Sequence, residues 1–419
     1  MFKKINIYIE KMYFMKYLKE FKNHSEYEAY TADTKNFILP NVSICILEND
    51  VHYNPYVEPA ETRVVAKFNV TDISSPTKIA NKVESFSFIE IDGVEQSTVM
   101  SAYTFSTTGE HIVKYGLTAS ASIENYAFAS CSNLISITIP DIATNFGNGI
   151  FAYCISLTSC TIGNNVISIG DNTFLECNNL VNCTIGSGVT SIGQYAFSGC
   201  TRLADIVIPN SVTNIGDWAF YGCSGLTDVA MGSGLENIGD VAFRYCTSLT
   251  SIYIPDNVIN IGNNAFSYCT SLIDLTIGNG STNIGNYAFR ACSALTNVVI
   301  GSGVTSISEG AFYQCSGLTS CTIGSGVTSI GNSAFTECRS LTIIDIPSGI
   351  TYIGNSAFNY CNSLINVTVR ALVPPTLGDI YTFSSNALGR KFYVPSESIE
   401  AYKTANIWRG DSAYIEPIP

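Results

Sequence analysis

Ala219-Phe220-Tyr-Gly-Cys223-Ser-Gly-Leu226-Thr-Asp228-Val-Ala-Met-Gly-Ser-Gly-Leu-Glu-Asn-Ile238-Gly239 is one pass of a unit that returns eleven times. Its phenylalanine recurs as Phe128, Phe151, Phe174, Phe197, Phe220, Phe243, Phe266, Phe289, Phe312, Phe335 and Phe358, always 23 residues from the last. Three residues after each comes a cysteine, from Cys131 to Cys361, and three further on a leucine, from Leu134 to Leu364. With Phe as position zero the unit reads Ala-Phe-x-x-Cys-x-x-Leu-x-x-Ile-x-Ile-Pro/Gly-x-x-Val-x-x-Ile-Gly-x-x. So short a unit cannot bury its own apolar face, so the copies must stack, each setting the same side chain above the last. One residue of each type per coil becomes one inward ladder per type. Phe220, Cys223 and Leu226 form one rung, and Phe243, Cys246 and Leu249 form the next.

Within the unit, Leu-x-x-Ile-x-Ile alternates in its second half as a strand with one buried face does, and Pro or Gly ends it. Val-x-x-Ile-Gly is a second short extended or turn segment. Gly-x-x-Ala-Phe-x-x-Cys is long enough for one turn of helix only. The spacing predicts an α/β repeat solenoid, mostly β, of about eleven 23-residue coils with a cap at each end. Together the three blocks resemble the BspA-type leucine-rich repeat across residues 116–370, and the resemblance implies a right-handed leucine-rich-repeat superhelix. Copies depart from the unit at Phe146 (for Ile), Ser281 (for Val), Ser308 (for Gly), and Ile150 and Thr173 (for Ala), without altering the architecture.

The composition is that of an ordered chain with a core: 46% of the 419 residues are apolar and 13% charged. Lys and Arg number 21 against 34 Asp and Glu, a net charge of −13. From Gly116 to Arg370 there is no Lys, and five Arg stand against fourteen acids. Nucleic acid needs clustered cations, so this balance argues strongly against such a partner. No apolar run of about 18 residues is present to span a membrane. Met1 to Met15 mixes Lys and Glu with Ile5, Ile7 and Ile9, so no signal peptide is read there, and Met15 offers a second start.

Eleven of the fifteen cysteines lie on the period, and a free cysteine behaves as a small buried hydrophobe, so their ladder is read first as packing. Cys160, Cys183 and Cys321 take positions filled elsewhere by Ile, Val or Leu; Cys45 stands outside the array. Rungs about 4.8 Å apart would permit some disulfides. Zinc would need paired ligands such as C-x-x-C, which do not occur. No metal and no cofactor are expected.

Four segments follow along the chain. Residues 1–60 are a leader or attachment segment, with Ser25-Glu-Tyr-Glu28 as a capping box and a strand around Val42, Ile44 and Ile46. Its Leu39-Pro-Asn-Val-Ser43 and Asn49-Asp-Val-His-Tyr-Asn-Pro55 stretches resemble N-terminal pieces of repeat proteins from gut bacteria and their phages. Residues 61–115, with alternating runs at Arg63 to Val70, Ser85 to Ile91 and Gly109 to Leu117, are expected to form a small β-sandwich-like cap. The array is 116–370. Residues 371–419 should close its last coil, which would otherwise leave apolar surface and a strand edge open. This tail, with a strand at Lys391-Phe-Tyr-Val-Pro395 and a helix capped by Ser396 through Tyr402 and Ala405, resembles the C-terminal cap of BspA-type arrays.

No catalytic residue is assigned. The three histidines, His24, His52 and His111, lie outside the array, and its cysteines lack the cationic neighbour that makes a thiolate. Gly-Ser-Gly at 186, 232, 301 and 324 is a turn with no long helix after it to hold a phosphate. Two surface signals remain as ligand-binding candidates. The position eight after each Phe faces outward and carries Asp205 and Asp228 on adjacent rungs, and Asp274 two rungs on. Their spacing approaches the roughly 5 to 5.5 Å of retaining glycosidases; solvated strand residues with mild repulsion are the plainer reading. The second signal is aromatic: Tyr126, Tyr195, Trp218 and Tyr287 lie two before the Phe, and Tyr153, Tyr245, Tyr268 and Tyr360 two after. Tyr beside Ser, Gly and Asn suits a recognition surface, and half-buried packing against the next coil is the alternative.

These readings converge on a non-catalytic recognition or adhesion protein that binds a surface protein or glycan of a host or bacterial cell through the solenoid face. Adhesion, with display on a cell surface or a virion, is what the resemblance implies. Two other readings stand beside it: a phage or prophage tail-fibre-like receptor-binding part attached through residues 1–60, and a carbohydrate-active enzyme using Asp205 and Asp228. No oligomeric state is assigned.

Overall fold

The computed structural model describes residues 45–47, 50–52 and 62–419. The capping box at Ser25 to Glu28, the second start at Met15 and His24 lie outside the described residues. The chain divides into two units, residues 1–61 and 62–419. In the first, Cys45–Leu47 and Asp50–His52 pair antiparallel.

The second unit is a mostly-β solenoid of about 13 turns. Each coil lays down two short strands. The first strands, from Leu134–Thr138 to Asn366–Val369, pair in parallel with the equivalent residue 23 positions on, as Ser136 with Ser159 and Ile343 with Asn366, with breaks in the ladder between Asn182–Thr184 and Asp205–Val207 and between Asp228–Ala230 and Ser251–Ile254. The second strands build another ladder, continuous over ten coils from Ser168–Ile169 to Thr376–Leu377.

The third side of the coil is not the single helical turn its length suggests. Successive hydrogen-bonded turns occupy it, and the residues two before and two after each Phe have left-handed φ in all eleven copies, from Tyr126 (+63°) and Ser130 (+58°) to Ser356 (+54°) and Tyr360 (+57°). Hydrogen bonding supplies the reason. The N–H groups at these two positions and at the Phe point along the solenoid to the next coil: Trp218 N–H to Asp240 O (2.9 Å), Phe220 N–H to Ala242 O (2.7 Å) and Gly222 N–H to Arg244 O (2.9 Å). A helical turn would satisfy these groups inside its own coil and leave the coils unjoined on this side.

Inside, the Phe rings stack nearly parallel, with centroids 4.9 Å apart at Phe197–Phe220 and at Phe220–Phe243. The stack continues to Phe383, 5.1 Å from Phe358. Each cysteine from Cys154 to Cys361 on the period donates its Sγ–H to the carbonyl of the Phe one coil back, as Cys223 to Phe197 (3.2 Å) and Cys246 to Phe220 (3.3 Å). The ladder is therefore a hydrogen-bonding device as well as a packing one. The fourteen described cysteines outside the first unit are free. Burial pushes the thiols of Cys154 and Cys361 up to about 12, and those of Cys177, Cys200, Cys223, Cys246, Cys315 and Cys338 upward as well.

Both ends are covered. Val64–Val70 pairs antiparallel with Leu134–Thr138 and with Gly109–Leu117, which in turn carries Phe86–Ile91 and then Val94–Glu95. Where a sandwich-like module is expected, the array's own sheet runs on, and Thr77–Lys78 with Ala102–Tyr103 makes a second small sheet. The open edge of the first coil accounts for this, since an unpaired row of N–H and C=O groups is satisfied by adding strands. At the far end Lys391–Val394 and Ile415–Pro417 extend the first-strand sheet. The helix α1 (Ile399–Thr404) starts after Ser398, two residues later than Ser396, and has no side-chain cap. Trp408 is buried against Phe383, Phe392 and Tyr402, with its Nε1–H donating to Pro375 O at 2.8 Å. Arg390 pairs with Asp411 at 2.6 Å beneath it.

Candidate recognition surface

Phe220, Cys223, Leu226, Phe243, Cys246 and Leu249 are fully buried, so they shape the coil and present nothing to a partner. Asp205, Asp228 and Asp274 are exposed. Asp205 and Asp228 are direct register partners in a two-stranded sheet of their own. Asp274 pairs with Ser251 and Asn297, so it is brought to neither. A carboxylate pair that shares acid and nucleophile roles needs unequal surroundings, and these two occupy like positions on like strands in solvent. Among the described residues no group of three His, Cys, Asp or Glu is placed to hold a metal ion.

The aromatic residues do come together. On four consecutive coils Tyr195 stacks on Trp218 (5.7 Å), Trp218 meets Tyr221 (4.9 Å), Tyr221 meets Tyr245 (5.6 Å), and Tyr245 stacks on Tyr268 (5.0 Å). Arg244 lies 4.8 Å from the Tyr245 centroid and 5.4 Å from that of Tyr268. Arg290 then bridges Tyr268 (5.5 Å), Tyr287 (5.8 Å) and Tyr313 (5.5 Å). The result is one continuous aromatic belt with two guanidinium groups set between its rings, an arrangement favoured by the ring quadrupole. Tyr126, Tyr153 and Tyr360 hold equivalent positions outside these coils, stay 43%, 51% and 51% exposed, and touch no other ring among the described residues.

Tyr221, Arg244, Arg290 and Tyr313 are absent from the sequence-based candidates. All four lie one residue after the Phe, in the row Tyr221, Arg244, Ser267, Arg290, Tyr313, whose change from the Ala129, Ala152, Leu175, Ser198 of earlier coils is the signal that would have found them. Tyr287 donates to Glu309 Oε1 at 2.7 Å, and that bond to a carboxylate holds its phenol above the usual range. Burial, then Glu337, raises Tyr313. The Arg339 hydrogen bond holds the Glu337 carboxyl low. Neither Arg244 nor Arg290 has a carboxylate partner among the described residues, and the Nε of each is buried without an acceptor.

A polar row runs beside the belt, one residue before its left-handed positions: Gln194, Asp217, Asp240, Asn263, Asn286 and Glu309. One oxygen of each Asp or Asn from 217 to 263 accepts the backbone N–H of the next member: Asp240 N–H to Asp217 Oδ1 (2.8 Å), Asn263 N–H to Asp240 Oδ1 (2.6 Å), Asn286 N–H to Asn263 Oδ1 (2.9 Å). Asn263 Nδ2 in turn donates to Asp240 Oδ2 at 3.2 Å, so both polar atoms of Asn263 and both oxygens of Asp240 are engaged within the row.

Among known proteins, the family model for the BspA type leucine-rich repeat region matches residues 98–227, 168–296 and 282–401. No curated protein matches the chain. Similar solved structures include a leucine-rich repeat protein from Bacteroides ovatus, at 27% identity over 76% of this chain and 90% of that one, with a TM-score of 0.41. A leucine-rich cell surface protein from Faecalibacterium prausnitzii shares 26% identity over 75% and 94%, with a TM-score of 0.39. The leucine-rich repeat protein of T. pallidum shares 27% over 49% and 83%, with a TM-score of 0.35. No helix among the described residues is long and apolar enough to cross a membrane.

Proposed function

Since the chain belongs to the BspA-type leucine-rich repeat family, we propose that it is a non-catalytic recognition protein, displayed on a surface, that attaches to a protein or glycan of a host or bacterial cell. The observation that carries this reading is the split between the rows of the coil. Inward rows repeat Phe, Cys and Leu without change, whereas the rows two before, one after and two after the Phe change from coil to coil and gather their aromatics on six neighbours. A constant frame under a variable, aromatic surface is how recognition surfaces are built. Residues 61–115 and 371–419 then act as end covers, and residues 1–60 as the attachment segment. Saturable binding of labelled full-length chain to a panel of bacterial and epithelial cells, competed by unlabelled chain, tests it. Competed binding to one cell type is expected; uncompeted or absent binding across the panel overturns the reading.

A further inference from the structure

Cys160 and Cys183 hold the same position in two successive coils, nine residues after the Phe, where most coils carry Ile, Val or Leu. They are register partners on the paired strands Ser159–Thr161 and Asn182–Thr184. Strand spacing sets their Cα atoms about 4.8 Å apart, inside the roughly 4.4 to 6.8 Å that a disulfide spans. Cys321 holds this position too, but its register partner is Val298 and the next coil brings Ile344.

Two observations set the pair apart from the periodic ladder. The ladder thiols from Cys154 to Cys361 are committed, each donating to the carbonyl of a Phe one coil back, and they are fully buried. Neither Cys160 nor Cys183 has a carbonyl acceptor among the described residues. Burial and then a hydrogen bond to Cys183 hold the Cys160 thiol high, so the group it meets is the other thiol. Access differs as well. Cys183 stands on the strand after which the first-strand ladder breaks, and it is half-buried, whereas Cys160 is 3% exposed. An oxidant in solvent can reach one sulfur, with the second lying one rung behind it.

We propose that Cys160 and Cys183 are a dithiol pair that closes to a disulfide on meeting a low-molecular-weight disulfide, clasping two coils on the N-terminal side of the break. The Cys183 thiolate attacks one sulfur of the oxidant, whose S–S bond breaks and releases one thiolate, leaving a mixed disulfide on Cys183. The Cys160 thiolate then attacks the Cys183 sulfur and expels the second. The pair loses two protons and two electrons, and one molecule of oxidant is reduced to two thiols. This inference does not depend on the recognition reading.

The test incubates the full-length chain with oxidised glutathione in native buffer, blocks the remaining thiols and digests with chymotrypsin. Cuts after Leu157, Phe174, Leu180 and Tyr195 place Cys160 in residues 158–174 and Cys183 in residues 181–195, with Cys177 on neither. Mass spectrometry should find these two peptides joined, the link removed by dithiothreitol, and the thermal midpoint raised while it is present. Cys160→Val and Cys183→Val each install a residue that other coils carry there. The first should hold one glutathione on residues 181–195, and the second should hold none on residues 158–174. A parent in which the two peptides stay unlinked, or are linked only after unfolding in urea, overturns the proposal. So does pairing of Cys183 with Cys177 or Cys200, or a Cys160→Val chain that takes up no glutathione on residues 181–195.

Discussion

At the scale of the residue, inward and outward positions should respond to mutation very differently. Phe243→Ala removes a fully buried ring from the middle of the stack and is expected to cost about 3 to 5 kcal/mol. Asp228→Asn on the solvent face should stay within about 0.5 kcal/mol. Denaturant midpoints of the two variants check this directly. A second pair probes the backbone. At Gly222, with φ of +70°, a Cβ would meet nothing within 4 Å, so Gly222→Ala should cost only the left-handed penalty of about 1 kcal/mol. At Gly280 the added Cβ would sit 1.7 Å from Asp256 O, and Gly280→Ala should cost clearly more. The Phe, Cys and Leu ladders were legible in the sequence because one side chain per coil stays the same. The left-handed pairs were not, because only Gly149, Gly199, Gly222 and Gly310 among them are glycine and the rest include Tyr, Trp, Val, Glu and Gln.

At the scale of the element, the cysteine ladder ties stability to pH. The thiols of Cys154 and Cys361 ionise in the folded chain at about 12, above the ordinary value of 9.0, because burial disfavours the thiolate. A raised acid keeps its proton longer when folded, so its contribution is whole below about pH 9 and is lost as pH rises towards 12. Each such thiol should lower stability by about 1.4 kcal/mol per pH unit across that window. Unfolding midpoints measured from pH 7 to 11 should therefore fall steeply above 9, and less steeply in Cys154→Ser, Cys361→Ser. The strands were readable from Leu-x-x-Ile-x-Ile, since alternation reports one buried face. The extra Phe383 rung was not, because 25 residues separate it from Phe358 and the 23-residue count steps over it. The turn side escaped the periodicity altogether, since its geometry is dictated by bonds to the next coil.

At the scale of the whole molecule, each coil touches only its neighbours, so damage at one end should travel from that end. Trp408→Ala empties the centre of the closing cluster, at an expected cost of about 3 to 5 kcal/mol. Amide exchange should then rise first in the coils nearest residues 366–394 and last around 134–161. The acid-pair reading is tested at this scale as well. Asp205→Asn, Asp228→Asn should leave the response of the chain to a polysaccharide-degradation panel unchanged, and loss of a degrading activity present in the parent would make the pair catalytic. The array could be read from the sequence, but the run of its own sheet through Val64–Val70 could not; the belt could be read only in part, since Tyr195, Trp218, Tyr245, Tyr268 and Tyr287 stood out while the Arg and Tyr residues that join them did not.

The rungs are interchangeable in register, each coil presenting to the next the same strands, the same thiol donor and the same axial N–H groups. In the gene, one coil is a run of 23 codons bounded by near-copies of itself. Misaligned copying between neighbours would add or drop whole coils in frame, and a chain lacking residues 255–277 would join Gly278 directly to Ile254, in the place Pro255 holds now, with the period unbroken. Lineages could therefore lengthen or shorten the variable face by slippage alone, keeping a foldable product at each step.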